Sequence, residues 1–440
     1  MILLRAPKSR KGTPSQKEGG GEIKRLSRRG VFAFLAIVGP GLITAAADND
    51  AGGIATYSKA GAHFGYEMLW LLLIVTFLLI IVQEMSARLG VVTQKGLGEL
   101  IREEFGVKWT FFALACLFIA NLFTTISEFA GISAAAGIFG IPRYIAVPIC
   151  AIGIWFLVLR GSFRNVERVF LGFGLIYITY IISGVLAKPD LHGMLRGTFV
   201  PSFRPTAEFT ALAIALVGTT ITPWMQFFLQ ATVVDKGIRL KDYKYEKADV
   251  IVGSILTDVV SLFIIVATAA TLYHNHIRIN DAADAALALE PFAKGYATKL
   301  FAAGLLGASL LASAILPLST AYTYCEAFGW EIGINRSFRE APAFYGIYTI
   351  LIGAGACIIF VPHLNLINVM VFSQTVQGIL LPVILIFMLK LINNREIMGD
   401  YVNSRFYNIA AWFTTIGVIS LTAVLLITTF FPGFLVGIFH

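Results

Sequence analysis

The chain has 440 residues, 57% of them hydrophobic and 14% charged, with a formal net charge of +8. So low a charged fraction, with apolar runs of about 20 residues repeated along the chain, argues against a soluble enzyme and for a polytopic helical membrane protein. The positive balance belongs to loops at a membrane surface, so no nucleic-acid partner is implied.

Residues 1–30 form a polar tail rich in Lys, Arg, Gly and Ser. Its apolar start, Met1 to Leu4, is too short for a signal peptide. The tail reads as a disordered cytoplasmic segment. It ends in Lys24, Arg25, Arg28 and Arg29, which are placed to meet anionic lipid.

Eleven spans follow, at 31–58, 66–88, 109–138, 142–160, 166–187, 207–234, 249–273, 296–328, 343–361, 364–390 and 407–431. With the N-terminus inside, 26 of the 34 Lys and Arg residues fall on the cytoplasmic side and 8 outside. This bias predicts a multi-pass protein of the plasma membrane (a bacterial inner membrane), N-terminus cytoplasmic and C-terminus external. The external loop 274–295 carries Asp281, Asp284 and Glu290, and its alanine-rich part reads as a surface helix.

Span 1 is interrupted at Asp48-Asn49-Asp50-Ala51-Gly52-Gly53. Charged side chains and unpaired backbone groups are costly in hydrocarbon and are tolerated where they line a cavity. The stretch therefore reads as a cation site at mid-membrane, with Asp50 and Asp48 as oxygen ligands for a hard ion such as Mg²⁺ or Mn²⁺. Capping of a helix start is the alternative role for an aspartate here.

Span 6 is interrupted at Thr219-Thr220-Ile221-Thr222-Pro223-Trp224-Met225-Gln226. Pro223 brings no N–H and leaves a carbonyl one turn back without its donor. The Thr219 carbonyl and the Thr222 hydroxyl are candidate ligands; alternatively the threonines bond only their own helix. Trp224, Met225 and Gln226 are candidate wall residues. Broken helices at the first and sixth spans predict two inverted repeats, 31–187 and 207–390, with 407–431 as an added helix.

Glu128 and Asp258 lie within spans 3 and 7 and are candidates for the site, for the ion's pathway or for structural pairing. Glu84 can pair with Arg88 one turn away. Gln374 in span 10 is a candidate ligand, with Ser373 and Gln377 beside it. None of the six histidines lies mid-span, which argues against proton relay through imidazole. Cys116, Cys150, Cys325 and Cys357 show no metal-ligand spacing and read as small buried hydrophobes.

Gly39-Pro40 with Asp50 after it, Gln83…Ala87-Arg88-Leu89-Gly90…Thr93…Gly96-Leu97…Glu99, Glu128-Phe129-Ala130-Gly131, Pro223, Glu326-Ala327-Phe328 and Ser373-Gln374 together resemble the NRAMP family of divalent-metal transporters. The resemblance covers most of spans 1 to 11. It implies an all-α, leucine-transporter-like 5+5 fold, a transported metal ion, a bilayer, no cofactor and no obligate protein partner.

Two departures matter. Where the family reads Asp-Pro-Gly-Asn, this chain has Asp50-Ala51-Gly52-Gly53; where it reads Met-Pro-His, this chain has Thr222-Pro223-Trp224. By the resemblance, Asp50, Thr219 through its carbonyl and Thr222 take metal-site positions with Gln374 near them, and Gly53 takes one without a side chain to offer. Loss of the thioether and the histidine makes the pattern similar to the NRAMP-related magnesium transporters, which move Mg²⁺ and Mn²⁺ without obligatory proton coupling. A proton-coupled Mn²⁺ or Fe²⁺ importer and a sodium-coupled small-solute symporter of the same fold are the alternatives.

Overall fold

The computed structural model describes residues 48–159, 177–204, 206–331 and 337–430. The basic tail, span 1 before Asp48 and span 5 before Tyr177 lie outside these residues.

All regular structure among the described residues is helical. In chain order the main helices are α1 (Ala51–Phe64), α2 (Leu69–Thr93), α3 (Leu97–Ile138), α4 (Arg143–Leu159), α5 (Tyr177–Leu186), α6 (Leu191–Phe199), α7 (Ala207–Thr220), α8 (Pro223–Asp235), α9 (Tyr243–Thr268), α10 (Ala297–Phe328), α11 (Pro342–Ile358), α12 (Leu366–Ile392) and α13 (Arg405–Phe430). Spans 2, 4 and 6 to 11 match these elements to within six residues at either end, span 6 being α7 and α8 together, whereas α6 has no counterpart among the expected spans. Span 3 starts earlier than expected: α3 runs back to Leu97 through a bend at Gly106, whose φ of 76° favours glycine.

The long helix α3 is the hub, packed against α10, α12 and α11, while α7 packs on α12 and α9 on both α1 and α2. Burial separates centre from periphery. The most apolar window of α7–α8 is 94% buried, whereas that of α13 is 28% buried and presents Ile409, Phe413 and Ile416 outward. An apolar outer face on a helix long enough to cross a membrane matches a lipid-facing position.

Close approach at the centre depends on missing side chains. A Cβ on Gly218 would stand 2.2 Å from the Gln374 carbonyl oxygen, and one on Gly378 would stand 2.5 Å from that of Ile214. These two glycines bring α7 and α12 into backbone contact, and so bring Gln374 to the break in span 6.

Two sequence expectations change. The alanine-rich part of loop 274–295 is not a surface helix: Ala282, Ala285, Ala286, Ala288 and Leu289 are buried, because side chains this small let the segment pack under α10. Its helix start is closed by a capping box between Asp281 and Asp284. Of the cysteines, Cys116 and Cys325 are buried, Cys150 is half-buried and Cys357 is exposed on α11, so the buried reading fails for Cys357.

Polar contacts tie the helices at both ends of the bundle. At one end His63 Nδ1 meets Glu208 Oε1 at 2.8 Å, Arg278 reaches the same carboxylate at 3.7 Å, and Lys59 donates to Asn368 Oδ1 at 2.8 Å. These contacts join α1 to α7, to the 274–295 loop and to α12. At the other end Glu84 pairs with Arg88 at 3.2 Å and accepts from the Tyr243 hydroxyl. Arg88 also donates to the carbonyls of Tyr401 and Val402 and to Asn403, and Gln230 Nε2 donates to the Lys95 carbonyl at 2.8 Å.

Candidate metal site

Helix continuity fails at Asn49–Asp50 and at Ile221–Thr222. Asp50 has extended backbone, and its Oδ1 accepts from the Gly53 N–H at 2.6 Å, so it caps α1. Thr222 stands at the equivalent position before α8, with Pro223 in the first turn, and makes no side-chain cap bond. Both helix starts point partial positive charge at the breaks, while the end of α7 supplies carbonyls of opposite sign.

Three elements converge on Asp50. Gln374 Nε2 lies 3.2 Å from each of its carboxylate oxygens. Glu128 Oε2 accepts from the Ala51 N–H at 3.3 Å, and the Glu128 carboxyl also meets that of Asp50. Gly52 makes room for Gln374, since a Cβ there would fall 1.9 Å from Gln374 Nε2. Gly53 keeps open the space opposite, where a Cβ would stand 3.0 Å from Thr219 Oγ1 and 3.3 Å from Asp50 Oδ1.

The notable property of this region is its unspent hydrogen-bonding capacity. Thr219 Oγ1, Thr222 Oγ1, Gln226 Oε1, Gln374 Oε1 and Glu128 Oε1 are buried with no partner in the protein. Buried polar atoms in native proteins are almost always satisfied by protein, water or ions. The array is rich in oxygen, and no three His, Cys, Asp or Glu side chains among the described residues group as a metal cage. Oxygen donors of this kind are those that hard divalent cations take.

The other expected residues are placed differently. Trp224 is buried against Phe228 with ring centroids 5.8 Å apart, its Nε1 unpartnered. Met225 is buried in the apolar core. Gln226 Nε2 turns to the Thr222 carbonyl at 3.4 Å, and its own carbonyl accepts from Ser86 Oγ at 2.6 Å. Asp48 and Asp258 are both buried, with all four carboxylate oxygens unpartnered, and they interact with each other. Asp258 also borders an apolar groove of about 320 Å³ between α2, α6 and α9. Ser373 and Gln377 are occupied elsewhere, with the Met370 carbonyl and the Thr124 hydroxyl respectively.

Sequence reasoning passed over Tyr57, whose hydroxyl lies 2.7 Å from Thr220 Oγ1 and joins α1 to α7. An aromatic residue one helix turn beyond a glycine pair carries no signal of its own. The Gly52–Gln374 contact was equally silent, because it depends on which faces of α1 and α12 meet.

A profile described as natural resistance-associated macrophage protein-like (Nramp) matches residues 41–428. A curated relative, the divalent metal cation transporter MntH of Bacillus subtilis (strain 168), is 27% identical over 416 residues, 91% of this chain and 94% of its own length. Among solved structures, the Eremococcus coleocola manganese transporter in complex with an aromatic bis-isothiourea substituted compound superposes with a TM-score of 0.72 at 22% identity, covering 94% of this chain and 88% of its own. MhsT in complex with L-phenylalanine shares the architecture more distantly, with a TM-score of 0.59 at 15% identity over 88% of this chain and 98% of its own. The helical fold is thus the leucine-transporter-like one, and with nearly the whole chain inside the matched profile, this protein belongs to the Nramp family and is a membrane transporter, not an enzyme.

Proposed function

We propose that this chain imports Mg²⁺, and also Mn²⁺, as a partly hydrated ion by alternating access, without obligatory proton coupling. The observation that carries the proposal is the set of unpartnered buried oxygens at the two helix breaks, where the family's asparagine, methionine and histidine are replaced by Gly53, Thr222 and Trp224. Asp50 is the anionic anchor. The Thr219 carbonyl, freed by Pro223, and the hydroxyl of Thr222 take one side, and Gln374 turns Oε1 toward the ion or its water. An all-oxygen shell without sulfur or imidazole favours a hard ion and discriminates weakly for softer ones.

We further propose the topology that the charge bias implies: N-terminus cytoplasmic, C-terminus external, in a bacterial inner membrane, with repeats 31–187 and 207–390 and an added helix at 407–431. The His63–Glu208–Arg278 contacts then lie at the external end, and ion entry from outside requires them to part. An inside-negative potential favours entry by about 2.3 kcal/mol per charge per 100 mV, so by roughly twice that for a divalent ion, and no coupling ion is needed.

A second reading, a proton-coupled Mn²⁺ or Fe²⁺ importer, is favoured by one observation: Glu128 stays in contact with Asp50, so a proton acceptor adjoins the anchor. The MntH relative is named a divalent metal cation transporter, which agrees with either reading. Reconstituted liposomes carrying a Mg²⁺ indicator test the first reading. Uptake lost in Asp50→Ala supports it, whereas no uptake by the unmodified protein overturns it.

A further inference from the structure

The apolar groove between α2, α6 and α9 has a regular shape. On α2 its lining is Leu69, Leu72, Leu73 and Thr76; on α9 it is Ile255, Asp258, Val259 and Leu262. Both sets repeat at i, i+3, i+4 and i+7, which is one face of a helix over two turns. The groove therefore runs along two packed transmembrane helices for about 10 Å. One face of α6, through Met194, Leu195, Thr198 and Phe199, covers it. That cover is pinned in place. A Cβ on Gly197 would stand 2.3 Å from the Tyr66 carbonyl oxygen, and the Ser202 carbonyl just beyond α6 accepts from Trp70 Nε1 at 3.0 Å.

The open surface of the groove is hydrocarbon. Thr76 and Thr198 turn their hydroxyls to carbonyls one turn back, both at 2.8 Å, and Asp258 is buried at the edge. Leu73, Leu195, Phe199 and Ile255 are exposed, so the groove opens sideways toward lipid. A volume of about 320 Å³ over about 10 Å leaves a cross-section of roughly 30 Å², less than half that of an α-helix about 10 Å across. Such a space excludes a helix of a second copy and admits a single extended hydrocarbon chain.

The charge on α6 specifies the rest of the ligand. Leu191, Leu195 and Phe199 form one exposed edge of this helix, with Arg196 beside them, as in helices that lie in a membrane interface. Arg196 follows Leu195 and neighbours Phe199 at i, i+3, and both of those residues line the groove. Its side chain is exposed and makes no ion pair or hydrogen bond among the described residues. By contrast, Arg204 pairs with Glu67 and Arg278 with Glu208. An uncommitted guanidinium beside a chain-sized apolar groove is complementary to an anionic lipid headgroup.

We propose that the groove between α2, α6 and α9 holds one acyl chain of an anionic phospholipid, whose phosphate meets Arg196. With the topology proposed above, this lipid belongs to the outer leaflet. The site is separate from the break at Asp50, so lipid binding and Mg²⁺ transport stand or fall independently.

Native mass spectrometry of the full-length protein, released from bilayers of equal phosphatidylglycerol and phosphatidylethanolamine, gives the test. One phosphatidylglycerol per chain is expected to survive activation that strips other lipid. Val259→Trp fills the groove and removes it. Arg196→Gln keeps a bound lipid but lowers the preference for phosphatidylglycerol about fivefold, the effect of one basic residue near an anionic surface. A phosphatidylglycerol with a diazirine in its acyl chain gives a second measurement that needs no variant. Cross-links are expected within 69–76, 194–199 and 255–262, and excess unlabelled phosphatidylglycerol suppresses them. No retained lipid, equal retention of the two lipids by the unmodified protein, or retention unchanged in Val259→Trp overturns the proposal. Cross-links outside these segments only, or cross-linking that excess phosphatidylglycerol leaves unchanged, also overturns it.

Discussion

Gly52 is where backbone, packing and site meet most closely, and replacing it by alanine separates their contributions. The new methyl carbon would stand 1.9 Å from Gln374 Nε2, 2.7 Å from its Cδ and 2.9 Å from its Cγ, so the amide must swing away. Doing so breaks both 3.2 Å contacts to Asp50. Overpacking of this kind costs about 1–3 kcal/mol. Against it stands the gain in helix propensity of alanine over glycine, about 1 kcal/mol at most. The net expectation for Gly52→Ala is a destabilisation of up to about 2 kcal/mol, read as a lowered melting temperature in detergent. In a Gln374→Ala background the obstruction is gone, and the same change becomes neutral or slightly stabilising, so the double-mutant cycle reverses sign. An equal loss of stability in both backgrounds would refute the claim that Gly52 exists to seat Gln374 against Asp50.

Gly53→Asn puts a Cβ 3.0 Å from Thr219 Oγ1 and 3.3 Å from Asp50 Oδ1 and gives the proposed site a side-chain amide that takes the place of an ion's water; competition uptake should show Mg²⁺ transport falling and the preference for Mn²⁺ over Mg²⁺ rising. Arg88→Ala removes the ion-pair partner of buried Glu84 and three hydrogen bonds to the 401–403 turn. Leaving a buried charge unpaired costs about 3–5 kcal/mol, so the variant should melt well below the parent. Glu208→Gln releases His63 and Arg278 together; a cysteine placed at Ser133, in the cavity beneath loop 280–283, should then react faster with a membrane-impermeant thiol reagent added outside. An unchanged labelling rate would show that these contacts do not hold that end closed.

Much of the fold was legible because hydrophobic length is a direct record of the bilayer. Spans 2, 4 and 6 to 11 could be placed from apolar runs, and the break in span 6 from Pro223, because a missing N–H acts locally. The bend at Gly106 was not legible, since a lone glycine between Phe105 and Val107 has the same appearance whether or not the chain turns there. The alanine-rich segment 282–288 was misread because alanine's helix propensity gives no indication of what covers it. At the candidate site, the presence of Asp50, Thr222 and Gln374 was readable, but the partnering was not. That Gln377 is committed to Thr124, or that Asp258 belongs with Asp48, depends on helix rotation, which periodicity in a helix apolar all round does not fix.

The central claim is Mg²⁺ import anchored on Asp50 and uncoupled from protons. Its most direct test is simultaneous recording of Mg²⁺ uptake and internal pH in proteoliposomes under an inside-negative potassium diffusion potential. The account predicts uptake that follows the potential, no accompanying acidification of the interior, and loss of uptake in Asp50→Ala. Acidification that rises in step with metal entry would contradict it and assign Glu128 to a proton path.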